Sequence, residues 1–245
     1  MRNLLPPLRG DDLAEHNRRR VANRQAREAE IDDREIILRR PAFILGNGPR
    51  LPIDSLHALA GQFTVGVNRI LESGFTPTVI FWVDGSVYKE HGERIDDSGA
   101  ILVCDEKIRR RQKHIGLRLH IGDAALSSKT TPTEVCVNGN TGCAAARWAF
   151  ALGCNPIYLL GMSAEYLGGK TNFYGENKWH HRSDGDNGTL PVMRGELTRL
   201  KIDLGGAAME ISTGDALEYV AQKYEPTDRA ALRGAILELI SPGGI

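Results

Sequence analysis

The chain has 245 residues, 41% of them hydrophobic, and its 31 Lys and Arg balance its 31 Asp and Glu to a formal charge of zero. That apolar content supports a large α/β domain, and the balanced charge provides no global field to recruit nucleic acid or an acidic membrane. No apolar run approaches the ~20 residues of a membrane span, Met1–Leu8 lacks the length and cleavage site of a secretory signal, and Cys104, Cys136, Cys143 and Cys154 form no C-x-x-C pair, so reduced thiols in a cytoplasmic protein are expected.

Residues 1–41 form a charged arm with ten Arg and eight Asp or Glu. Asp11 and Asp12 suit the cap and first turn of a helix from about Asp12 to Ala29. Its apolar stripe of Leu13, Val21, Ala22 and Ala26 is thin, as for a solvated helix that docks weakly on the domain or on a partner subunit of a homo-oligomer. Acidic residues nearly cancel the arginines, so a nucleic-acid arm is not expected.

From Pro41 onward strands and helices alternate. The strands expected are Ala42–Leu45, Thr64–Val67, Thr78–Val83, Ala100–Val103, Leu117–Ile121, Ile157–Leu160 and Ala208–Ile211. Helices are expected at Ile53–Ala60, Glu106–Gln112, Thr141–Leu152, Pro191–Leu204, Gly214–Lys223 and Thr227–Leu239. Short apolar strands alternating with helices predict an α/β fold: a mostly parallel, open, Rossmann-like sheet covered on both faces. Residues 42–245 then make one nucleotide-binding domain. Glu165–Thr189, rich in Gly, Asn and Asp with several aromatics, lacks periodicity and reads as an irregular lid over a site.

Phe43, Ile44 and Leu45 run straight into Gly46-Asn47-Gly48-Pro49, and the glycines are expected to turn the backbone sharply where a strand meets the ligand edge of the sheet. Asn138–Cys143 opens a helix with similar residues, yet neither stretch is a G-x-G-x-x-G or a Walker loop. Asn47 and Asn68 each carry a carboxamide able to clamp a phosphate or ribose without adding charge. Asn140, Thr141 and Gly142 place helix amino-terminal amides where a phosphate oxygen fits, although an ordinary cap uses the same residues.

Gly46–Pro49, Val65-Gly-Val-Asn68, Thr141–Gly153 and Ile157–Met162 occur in an order that resembles the bacterial sialyltransferases that build lipooligosaccharide termini. The order is also similar to the related family of motility accessory factors and archaeal 6-hydroxymethylpterin pyrophosphokinases. The resemblance spans about Ala42 to Leu217. It implies that Gly46, Asn47, Gly48, Asn68, Asn140, Thr141 and Gly142 hold a nucleotide. It further implies that Tyr166 and Tyr174 assist the leaving phosphate and that His180 or His181 deprotonates the acceptor. The chain departs from the sialyltransferases at Asp84, where they have asparagine, and at Ser163, where they have aspartate. Asp84 is kept as a nucleotide-binding residue, able to hold a ribose hydroxyl or a metal. Asp184-Gly-Asp186 has the D-x-D form used by metal-dependent transferases, but the tripeptide is common in polar loops, so no metal site is assigned.

The implied activity is a glycosyltransferase that moves a sugar from a nucleotide-activated donor to a hydroxyl of a glycan or small molecule. Direct displacement needs no protein nucleophile. No cofactor is assigned. Two alternatives stand beside it: a Mg²⁺-dependent pyrophosphokinase acting on a small alcohol such as a pterin, and a non-catalytic binding or assembly protein of the same fold.

Overall fold

Runs of buried apolar residues make the strands of the computed structural model, which describes residues 40–121, 130–165, 167–168, 170–175, 189–226 and 228–240. Residues 1–39 of the charged arm, and Tyr166, His180, His181, Asp184 and Asp186 of the expected lid, lie outside the described residues. Eight strands are described: β1 (Ala42–Leu45), β2 (Thr64–Val67), β3 (Val79–Trp82), β4 (Ile101–Asp105), β5 (Ile115–Ile121), β6 (Glu134–Val137), β7 (Ile157–Leu160) and β8 (Ala208–Ile211). They form one sheet in the order β6-β5-β4-β3-β2-β1-β7-β8, and every pairing is parallel. The expected open α/β sheet is the fold observed. β1, β2, β3 and β7 are buried at every position, as strands covered on both faces must be.

Side chains alternate between the two faces. On one face Phe43 and Leu45 of β1 and Tyr158 and Leu160 of β7 meet Leu56 and Leu59 of a 3-10 helix, Ile53–Leu59, and Leu217 of a helix at Gly214–Ala221. Farther along that face, Ile80 and Trp82 of β3 pack with Leu102 and Cys104 of β4 and with Ile95. Ile95 belongs to helix α1 (Gly85–Asp96), which the sequence reading did not anticipate. Its apolar content is too sparse for a clear periodic stripe; the signal it does carry is a cap, the Asp84 carboxylate accepting the Ser86 N–H at 2.8 Å. Conversely, the helix expected at Glu106–Gln112 is only a 3-10 turn, Glu106–Ile108.

Helix α2 (Thr141–Ala151) covers the opposite face, where Trp148 meets Phe81 with ring centroids 5.9 Å apart. Ala144, Ala145, Ala146 and Ala149 have no exposed surface, so the small side chains let α2 lie close on the sheet. Its buried Arg147 pairs with Glu196 and, at 3.0 Å, with Asp203, both on helix α3 (Thr189–Asp203). Helices α4 (Gly214–Ala221) and α5 (Arg229–Ile240) follow β8. Among the described residues no helix is long and apolar enough to cross a membrane.

Strand β5 changes partner midway. Ile115, Gly116 and Leu117 pair with β4, whereas Arg118 to Ile121 pair with β6. β6, which the sequence reading did not anticipate, therefore sits beyond the carboxyl end of β4. It delivers the chain to α2 at the same end of the sheet where β1 stops.

Candidate functional site

The strand order reverses at β1. The chain builds outward from β1 to β6 on one side and returns as β7 on the other, and in open parallel sheets ligands bind in the crevice at the carboxyl ends beside such a reversal. A cavity of about 370 Å³ lies there. Gly46, Asn47, Gly48, Asn68, Asp84, Asn140, Thr141, Gly142 and Tyr174, all expected from sequence, line it together. Thus the loop after β1 and the start of α2, distant in the chain, share one cleft.

Its floor is a backbone contact. Gly46 N–H donates to Leu160 O and Gly48 N–H donates to Gly161 O, both at 2.8 Å. A Cβ at Gly48 would come within 2.6 Å of Gly161 O, and a Cβ at Gly46 would collide with the same oxygen. Neither glycine has a positive φ, whereas Gly161 has φ +62°. These two glycines are therefore required for close approach of two loops rather than for the sharp turn expected, and their N–H groups are already bonded.

Each of the three lining asparagines Asn47, Asn68 and Asn140 keeps one polar atom of its carboxamide buried without a partner. Asn47 Nδ2 donates to Val67 O at 3.2 Å, which fixes the orientation of the amide, and its Oδ1 is buried without a partner. Asn68, at the left-handed φ of 49° that Asn tolerates, likewise has a buried Oδ1 without a partner. Asn140 is 5% exposed; its Oδ1 accepts the N–H groups of Gly142 at 2.9 Å and Cys143 at 3.2 Å, and its Nδ2 is left buried and unpartnered. The α2 terminus is thus an ordinary cap, with the Gly142 and Cys143 amides already taken by Asn140. The expectation of a phosphate held by these free amides is corrected to that extent. Asp84 is exposed and spends one oxygen as the α1 cap.

Two free acceptors and one free donor suit a ligand rich in hydroxyl or amino groups. An ionised phosphate could not donate to Asn47 or Asn68. Leaving a buried polar atom unsatisfied costs about 1–3 kcal/mol, so a ligand that supplies these bonds recovers that cost.

The described part of the expected lid is pinned. Phe173 N–H donates to Asn47 O at 2.9 Å, and its ring packs on the core. The Arg69 guanidinium lies 4.1 Å from the centroid of the Tyr174 ring, a cation–π contact. Burial pushes the Tyr174 hydroxyl up from its ordinary value, with Arg69 opposing and Glu72 adding to the shift, so the phenol stays protonated and able to donate. Arg69 Nε donates to Glu72 Oε1 at 2.6 Å. At Ser163 the hydroxyl donates to Glu165 at 2.6 Å, and hydrogen bonds from Arg50 and Ser163 hold that carboxyl below its usual range.

Arg69, His91 and Asn172 also line the cleft and were missed. The cap at Asp84, continued through Val87 to His91 at helical spacing, was the available signal for His91. Leu190 and Met193 of α3, with Met162, add an apolar wall. Among the described residues no three His, Cys, Asp or Glu side chains are grouped to hold a metal ion. In comparisons with known proteins, no family model, no curated protein and no solved structure matches the chain.

Proposed function

We propose that the cleft binds a nucleotide-activated sugar and that the protein transfers the sugar to an acceptor hydroxyl by direct displacement. The observation that carries this reading is the convergence of the unpartnered Asn47 Oδ1, Asn68 Oδ1 and Asn140 Nδ2 at the point where the strand order reverses. The two free carbonyl oxygens meet sugar hydroxyls or base amino groups, and the free amide donor meets a carbonyl or phosphate oxygen. The Tyr174 hydroxyl, kept protonated by burial, donates to the phosphate as it leaves. The Leu190, Met193 and Met162 wall offers apolar surface for the base.

Calorimetry and thermal shift against CMP, UDP, GDP and ATP species, with and without Mg²⁺, test the reading. A ligand at 100 times its Kd should stabilise the fold by ~2.7 kcal/mol. Absence of binding across the series overturns it in favour of a non-catalytic role. Asp84 and Glu90 both face the cleft, and these carboxylates favour a second reading, Mg²⁺-dependent pyrophosphoryl transfer from ATP. Binding confined to ATP with Mg²⁺ selects it.

A further inference from the structure

We propose that His91 is the catalytic base of this cleft, a role that rests on the nucleotide-sugar reading above. The cap Asp84 and, along α1, Val87, Glu90 and His91 all line the cavity, so one helical face is turned to it. The His91 Nε2 atom is buried there without a hydrogen-bond partner. A ring nitrogen in that condition lacks the proton donor or acceptor that buried polar atoms ordinarily have. A hydroxyl of the acceptor supplies it.

The surroundings fit a group that takes up a proton. Glu72 Oε1 lies 3.9 Å and Glu90 Oε2 3.7 Å from His91 Nε2, too far for hydrogen bonds but near enough to attract the positive charge of an imidazolium. Glu72 is held in place because the same oxygen binds Arg69, and Arg69 in turn covers the Tyr174 ring. The base and the hydroxyl that meets the leaving group are therefore tied into one row of contacts: His91, Glu72, Arg69, Tyr174. In the step, His91 Nε2 takes the acceptor O–H proton as that oxygen bonds to the sugar carbon. The sugar–phosphate C–O bond breaks, and its electron pair goes to the phosphate oxygen.

The test uses hydrolysis of CMP-, UDP- and GDP-linked sugars, with water as the acceptor, alongside nucleotide binding by calorimetry. In His91→Gln, kcat should fall roughly 10²–10⁴-fold while nucleotide binds as it does to wild type. His57→Gln, at an exposed position of the 3-10 helix Ile53–Leu59 and outside the cleft lining, should turn over as wild type does. A folded His91→Gln with wild-type turnover overturns the role of His91 and leaves the nucleotide-sugar reading standing. A wild type that neither binds nor hydrolyses any donor overturns both. Where wild type binds without hydrolysis, or the variant does not fold, the assigned His91 ring resonances of the wild type decide. A shift on adding the bound nucleotide sugar supports the role, and unmoved resonances refute it.

Discussion

At Asn47, a residue of the cleft lining, the amide nitrogen ties the loop after β1 to the end of β2, while the carbonyl oxygen is buried without a partner. Asn47→Ala should therefore act twice. It should weaken nucleotide binding by roughly 1–3 kcal/mol and lower folding stability by about 1 kcal/mol, as isothermal calorimetry and urea unfolding would separate. The glycines divide differently. Gly46→Ala drives a methyl into the Gly161 carbonyl, which cannot yield without moving β7, and should destabilise by about 3 kcal/mol. In Gly142→Ala the obstacle is the far end of the Met162 side chain, so the melting temperature should change little. The sequence marked these positions because small polar residues cluster after strands. It could not reveal which half of each carboxamide is free, since that depends on Val67 and on the α2 amides, contacts made only in the folded chain.

Among the elements, seven of the eight described strands were legible in the sequence, and β6 and α1 were not. α1 is held by polar contacts at its carboxyl end as much as by burial: Asp96 accepts hydrogen bonds from the Tyr88 hydroxyl and His114, both at 2.9 Å, under the stacked rings of Trp82 and Tyr88. Burial pushes the Asp96 carboxyl up, but the bonds from His114 and Tyr88 and the Lys113 charge outweigh it and hold the group below its ordinary value. A depressed folded-state value means that the stability it confers is present above the unfolded value, near pH 4, and is lost as pH falls through the folded one. Unfolding free energy measured from pH 6 to pH 2 should fall on the acid side, and Asp96→Asn should flatten that fall while lowering stability at pH 7. Periodicity alone could not announce a helix whose anchors come from the chain after β4.

For the whole molecule, the open parallel sheet was legible because buried strands alternating with helices leave few other arrangements. The partner change within β5 was not, because nothing in its own residues encodes where β4 ends. The four cysteines also belong to this scale, since all are buried, and burial pushes Cys104, Cys143 and Cys154 up to about 12. The thiolate is the reactive form, so the native protein should react negligibly with a thiol reagent at pH 8 and release four thiols once unfolded in denaturant. The seam between β1 and β7 governs the order of assembly. Five strands separate its two sides in the chain, and loop closure over that span must precede the pairing of Leu45 with Leu160. As the chain leaves the ribosome, β1 can pair with β2 while its other edge stays bare, with the Gly46 and Gly48 amides unbonded, until Ile157–Leu160 emerges. The cleft is thus among the last features of the nascent protein to form, and the interval before it closes is when β1 offers an open edge to another chain.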